Sequence, residues 1–209
     1  MMAGGLSEYT AMGGDNLPLR RLPRAKPRAL IVVADGCDEL ETLALSDILV
    51  RGGLHVIIGS VGQAKNNIIV GNYGLHIQAE KPIDRCSLEI FDLIVVPGGD
   101  GASHLRDSDL VTKMLLEQKQ AGRWIAASSS APAVVLNPHG LLESRATCSL
   151  PHEPEMTREF VDEDVVVDNR CVTAQGAGTV MKFALTLVKL IMGEMAAEAA
   201  AVELLCPWS

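Results

Sequence analysis

Residues 124–137 read WIAASSSAPAVVLN: a short apolar run suited to a buried strand, three serines, then apolar residues at helical spacing. The period changes within two residues, so Ser129 falls at an abrupt strand-to-helix turn that presents its side chain outward. The same alternation extends in both directions. Upstream, ALIVVADG (29–36) reads as a buried strand ending in a turn. DELETLALSDILVRGG (38–53) reads as a helix with Leu45, Ile48 and Leu49 on one face, stopped by Gly52 and Gly53. LHVIIGSVG (54–62) is a second strand, NYGLHIQAE (72–80) alternates with period two as an excursion, and FDLIVVPGG (91–99) is a central strand. DSDLVTKMLLEQKQAG (107–122) is a crossover helix with acidic residues at its start. Downstream, RATCS (145–149) is read as a strand and DVVVDNRCVTA (164–174) as a hairpin turning at Asp-Asn-Arg. A closing helix from Gly178 to about Met192 and an alanine-rich helix from Met195 end the pattern.

Repeated strand–helix units imply an α/β fold with a mostly parallel sheet covered on both faces, and ligands in such sheets bind beyond the carboxyl ends of the strands. Gly36, Gly98, Gly99, Ser129 and Gly176 all follow strand runs and are expected at that one edge.

The 209 residues suit one domain, expected over 28–209. Residues 1–27 are rich in Gly, Pro and Arg and read as a flexible basic extension. A mitochondrial presequence is the sharper alternative, weakened by Glu8, Asp15, Pro18, Pro23 and Pro27. The net charge is −8, distributed as +3 over residues 1–28 and −11 over the rest. That balance opposes a broad nucleic-acid surface, which needs clustered positive charge. No apolar run is long enough for a membrane helix. The five cysteines, Cys37, Cys86, Cys148, Cys171 and Cys206, are odd in number and widely spaced, so a reducing, cytoplasmic setting is expected.

Within the ligand edge, Ser129 has the placement of a nucleophile at a tight turn, although the sequence lacks a G-x-S-x-G motif; the alternative is that the serines cap the following helix at Ser130. Pro97-Gly98-Gly99 offers bare amides for an oxyanion or a carbonyl oxygen, or is a simple turn. Glu41 is a candidate acid near the site; with Asp38 and Glu39 it also reads as a solvated first-turn carboxylate. Cys148 and His152 are two ligands where a zinc site needs more, so no metal is expected. His55, His76, His104 and His139 are scattered and read as surface or strand-edge residues.

Taken in order and spacing, ALIVVADGCDELET, DLIVVPGG, IAASSSAPAVVL and TAQGAGTVMKFALTLVK resemble the ThiJ/PfpI family, in the branch of the parkinsonism-associated deglycase and the bacterial ThiJ-like proteins, over about residues 28–204. The resemblance implies a flavodoxin-like three-layer sandwich related to class I glutamine amidotransferase domains, a homodimer, no cofactor, and a stress-linked glyoxalase or deglycase role on methylglyoxal or its glycated adducts. In the family a glutamate supports a reactive cysteine at the elbow; the matching positions are Glu41 and Ser129. The oxyanion amides map to Gly98, Gly99 and Ser130. The family histidine falls on Ser149, beside Cys148, and an arginine reaching toward the partner's site falls on Tyr73. A serine hydroxyl needs an adjacent base where a thiol can ionise on its own. Two further readings therefore stand beside the enzymatic one: a non-catalytic, chaperone-like or ligand-binding homodimer, and a serine hydrolase using Ser129. Cys148 is either a substitute reactive thiol or a buried strand cysteine.

Overall fold

A computed structural model describes residues 26–62 and 65–208; the body of the expected N-terminal extension lies outside the described residues. The strands are β1 (Arg28–Val33), β2 (His55–Ser60), β3 (Ile68–Val70), β4 (His76–Gln78), β5 (Lys81–Pro82), β6 (Leu93–Val96), β7 (Trp124–Ser128), β8 (Arg145–Ala146), β9 (Glu159–Phe160), β10 (Val165–Asp168) and β11 (Cys171–Ala174). The helices are α1 (Glu39–Arg51), α2 (Ile83–Cys86), α3 (Ala102–Arg106), α4 (Asp109–Gln120), α5 (Val180–Met192) and α6 (Glu194–Glu203). Seven strands form one sheet in the order β10-β11-β7-β6-β1-β2-β5, parallel except for the β10–β11 hairpin.

Continuous apolar strands are what burial on both faces requires. In β1, Ala29, Ile31 and Val33 enter one core cluster while Leu30 and Val32 enter the other; in β6, Leu93 and Val95 oppose Ile94 and Val96 in the same way. The first cluster is closed by α1, α5 and α6, the second by residues of α3 and α4 and the segment after Ser129. Asp38 caps α1 by accepting the Glu41 amide at 2.9 Å, and Leu45, Ile48 and Leu49 face inward. The α/β sandwich expected from the alternation is the fold observed.

Three segments differ from the sequence reading. The 72–80 excursion is the second half of a separate β3–β4 hairpin. RATCS contributes only β8, paired with β9 away from the main sheet. The strand beside β7 is β11, and Thr147 donates its amide to the side-chain hydroxyl of Thr173 in β11. The helix expected after Ser129 is a wide five-residue turn over Pro132–Leu136, in which the Asn137 amide reaches back five residues to Pro132. Pro132 lacks an N–H and so begins a helix without extending one backward. Ser130 does not cap that turn; its hydroxyl donates to the Gly99 carbonyl at 3.2 Å.

Candidate functional site

The carboxyl end of β7 carries the chain into a left-handed residue, Ser129, with φ of 57°. Such a conformation costs a non-glycine residue about 1–2 kcal/mol and persists only where the surroundings fix it. Here both sides of the residue are held: its amide donates to Ala174 O at 3.0 Å and its carbonyl accepts from Ser149 N at 2.9 Å. Gly98 lies against the elbow. A Cβ at position 98 would fall 2.5 Å from the Ser129 Cβ, which explains the absence of a side chain there. Gly99 has φ of +96°, and its carbonyl receives the Ser130 hydroxyl.

Of the three amides expected to form an anion pocket, that of Gly98 is committed to Glu41 Oε2 at 2.8 Å. The amides of Gly99 and Ser130 donate to no described residue. Glu41 is fully buried, and the same oxygen accepts the Ser128 hydroxyl at 2.6 Å, while Oε1 has no partner among the described residues. Burial raises the Glu41 pKa above the usual carboxylate range, against the opposing pull of those two donors. Glu41 therefore braces the elbow from behind and makes no hydrogen bond with Ser129 Oγ.

A cavity of about 440 Å³ opens in front of the elbow, with Ser129, Ser130, Gly99, Tyr73, Arg106 and His152 in its wall. Tyr73 is 85% exposed at the tip of the β3–β4 hairpin. Glu39 holds that tip, accepting the Tyr73 amide at 2.6 Å and the Leu75 amide at 3.2 Å. Gly176 borders the elbow hydroxyl: a Cβ there would stand 3.9 Å from Ser129 Oγ. Cys148 is placed elsewhere, fully buried, with burial and then Glu153 and Glu155 pushing its thiol up to about 11. Ser149 meets the site in two ways, through its amide on Ser129 and through its hydroxyl, 2.9 Å from His152 Nδ1.

His152 and Arg106 were not singled out for this edge by the sequence reading. The signal for His152 was Ser149-Leu150-Pro151-His152, a spacing that places serine and histidine on one side of a single helical turn; the structure has such a turn over Leu150–Glu155. Arg106 comes from the short α3, and its guanidinium makes two hydrogen bonds to Asp107, at 2.7 and 3.0 Å. Among the described residues no group of three or more His, Cys, Asp or Glu side chains is arranged to hold a metal ion. No described helix is long and apolar enough to cross a membrane. The arrangement gathers a hydroxyl, two open amides and an imidazole around one space, a set suited to a carbonyl group that gains negative charge on oxygen.

Among known proteins, the chain is 31% identical over 170 residues to protein DJ-1 homolog B of Arabidopsis thaliana, covering 80% of this chain and 38% of the relative. Thus it spans well under half of that plant protein. It is 31% identical over 173 residues to the glutathione-independent glyoxalase DJR-1.2 of Caenorhabditis elegans, covering 81% of this chain and 91% of the relative. Oxidized Toxoplasma gondii DJ-1 superposes with a TM-score of 0.83 at 33% identity, over 87% of this chain and all of that one. The model of the DJ-1/PfpI family matches residues 27–190, and with the fold and these relatives in agreement the chain belongs to the DJ-1/PfpI family.

Proposed function

We propose that this protein captures small reactive carbonyl compounds at Ser129 and acts on methylglyoxal or its adducts, as a stress-linked glyoxalase or deglycase. The observation that supports this best is the left-handed Ser129 beside the open amides of Gly99 and Ser130. In this reading Ser129 Oγ adds to the aldehyde carbon, and its proton ends on the former carbonyl oxygen, giving a hemiacetal next to the amides. Moving one proton from C1 to C2 and another from the C1 hydroxyl to the C2 oxygen turns the hemiacetal into a lactoyl ester, and water releases lactate and the free hydroxyl. Methylglyoxal plus water equals lactic acid, so neither oxidant nor reductant is consumed. The relative named as a glutathione-independent glyoxalase supports the substrate class.

The test is lactate formation from methylglyoxal by the purified protein and its Ser129→Ala variant. Turnover that disappears in the variant supports the reading; a rate no higher than buffer alone overturns it. The second reading, a non-catalytic binding or chaperone-like protein, draws on the lack of any cysteine in the cavity wall and on Glu41 turning away from Ser129. It expects methylglyoxal to perturb the protein's NMR spectrum at the elbow without lactate appearing. Assembly as a homodimer in a reducing, cytoplasmic setting completes the proposal; the exposed apolar face of α1 supports the pairing.

A further inference from the structure

We infer that Ser129, His152 and Ser149 form an acyl-transfer unit, giving this pocket a second activity: cleavage of small esters. Two hydrogen bonds tie the imidazole to the elbow. Ser149 N donates to Ser129 O at 2.9 Å, and Ser149 Oγ lies 2.9 Å from His152 Nδ1. A third, from His152 N to Ser149 O at 2.9 Å, closes the turn that carries the ring. These contacts leave the imidazole in the wall of the same cavity as Ser129, and Nε2 is not engaged by any described residue.

A serine hydroxyl acts as a nucleophile when a neighbouring base takes its proton and a third group orients that base. Ser149 fills the orienting position that a carboxylate often holds. The buried acid Glu41 is not placed as the base: it makes no hydrogen bond with Ser129, and its Oε2 holds the Ser128 hydroxyl and the Gly98 amide behind the elbow. The cavity of about 440 Å³ in front of the elbow has room for a short acyl group and a compact leaving group.

In the reaction, Ser129 Oγ bonds to the acyl carbon while its proton passes to His152. The carbonyl oxygen becomes an oxyanion beside the Gly99 and Ser130 amides, and the leaving group departs with the proton from His152. Water then repeats the sequence, releasing the acid and restoring Ser129. This inference shares the elbow serine with the dicarbonyl reading and rests on the same placement of Ser129; what it adds is His152 as the group that carries the proton.

The probes are p-nitrophenyl acetate and a fluorophosphonate. The latter forms a phosphorus–oxygen bond at Ser129 and expels fluoride. The expected result is a single adduct on Ser129 in intact protein, slowed about 100-fold in His152→Ala, consistent with the usual contribution of a general base. Added imidazole restores the His152→Ala rate and leaves Ser129→Ala unreactive. Ser149→Ala, which keeps the imidazole but frees its orientation, is intermediate. His152→Gln serves if the alanine variant fails to fold, judged by its melting curve. No adduct on folded protein, an unchanged rate in the His152 variants, or no response of His152→Ala to imidazole overturns the inference. Lactate production without labelling defeats the acyl-transfer unit alone, and labelling without lactate defeats the dicarbonyl reading alone.

Discussion

The Ser128 hydroxyl donates a 2.6 Å hydrogen bond to Glu41, tying the buried carboxyl to the residue before the elbow instead of to Ser129. The same Glu41 oxygen takes the Gly98 amide, so one buried group fixes the end of β7 and the glycine loop together. A carboxylate without water carries a large desolvation cost, and here only one of its oxygens finds donors. Burial favours the neutral acid and the Ser128 and Gly98 donors favour the anion, and the balance moves the Glu41 pKa upward.

A group with a folded pKa above its unfolded value stabilises the fold at low pH and loses that contribution as pH rises through the folded value. For Glu41 the window begins near the ordinary carboxylate value of about 4.3 and extends upward. Glu41→Gln keeps an acceptor for Ser128 and Gly98 but cannot ionise. The two proteins should melt within a degree or so of each other at pH 4, with the variant gaining several degrees on the parent by pH 8. Thermal melts across that range check this, and parallel curves would rule out a neutral Glu41.

The thiols should be unreactive except at one position. Burial is the main cause holding Cys37, Cys86 and Cys148 up at about 11 and Cys171 at about 12. Cys206 is the partly exposed one. Iodoacetamide followed by mass spectrometry should find Cys206 modified first, with Cys148 protected until the protein unfolds. Early alkylation of Cys148 would return it to the list of reactive groups.

Much of this architecture was legible in the sequence because buried strands and amphipathic helices write their periods locally. The abrupt change of period at Ser129 located the elbow for the same reason. What could not be read depends on contacts distant along the chain. Asp38, Glu39 and Glu41 look alike as first-turn acids, yet one caps α1, one holds the hairpin through Tyr73 and Leu75, and one is buried under Ser128. His152 was hidden by a similar limit. Its three-residue spacing from Ser149 was visible, but its place at the site depends on the Ser149–Ser129 backbone bond, which joins positions 20 residues apart.

Leu40, Leu43 and Val50 are exposed along one side of α1, at 59%, 45% and 54%. Exposed apolar side chains at helical spacing suit burial against another protein surface. A second copy should cover them, giving an apparent mass near twice 22.3 kDa by light scattering. Leu43→Asp places a charge in that face and should shift the protein to monomer with its melting temperature still measurable. A parent that is monomeric at high micromolar concentration would remove the homodimer.

Gly98 has no room for a methyl group, since the added carbon would sit 2.5 Å from Ser129 Cβ and 3.0 Å from Ser128 O. Overpacking of this kind costs about 1–3 kcal/mol. Gly98→Ala should lower stability by that amount in urea titration and displace Ser129 enough to abolish its labelling by a fluorophosphonate. Gly178→Ala is the matched control, because a Cβ there meets nothing within 4 Å. Equal stability of the two variants would mean that the elbow yields more easily than its contacts imply.

Ser129→Cys should produce a thiol more acidic than the free value of about 8.5. The left-handed turn sets the side chain against the cavity, and the Gly99 and Ser130 amides offer donors that favour an anion. The five-residue turn that follows is too short to supply a substantial helix dipole, so any lowering must come from those local donors and from Arg106 and His152 in the cavity wall. Asp38 and Asp100 line the same cavity and act in the opposite direction, limiting the shift. Glu41 adds no repulsion while it is protonated. Titrating the ultraviolet absorbance of the thiolate in Ser129→Cys against the parent measures the balance, and the Ser129→Cys, Glu41→Gln double variant separates the contribution of Glu41. Equal thiol pKa values in the two variants are expected if Glu41 is neutral, with the new thiol oxidised by peroxide ahead of Cys206. A thiol pKa at or above the free value would show that the donors around position 129 do not outweigh Asp38 and Asp100, removing the net anion-stabilising pocket from the carbonyl-capture and acyl-transfer readings together.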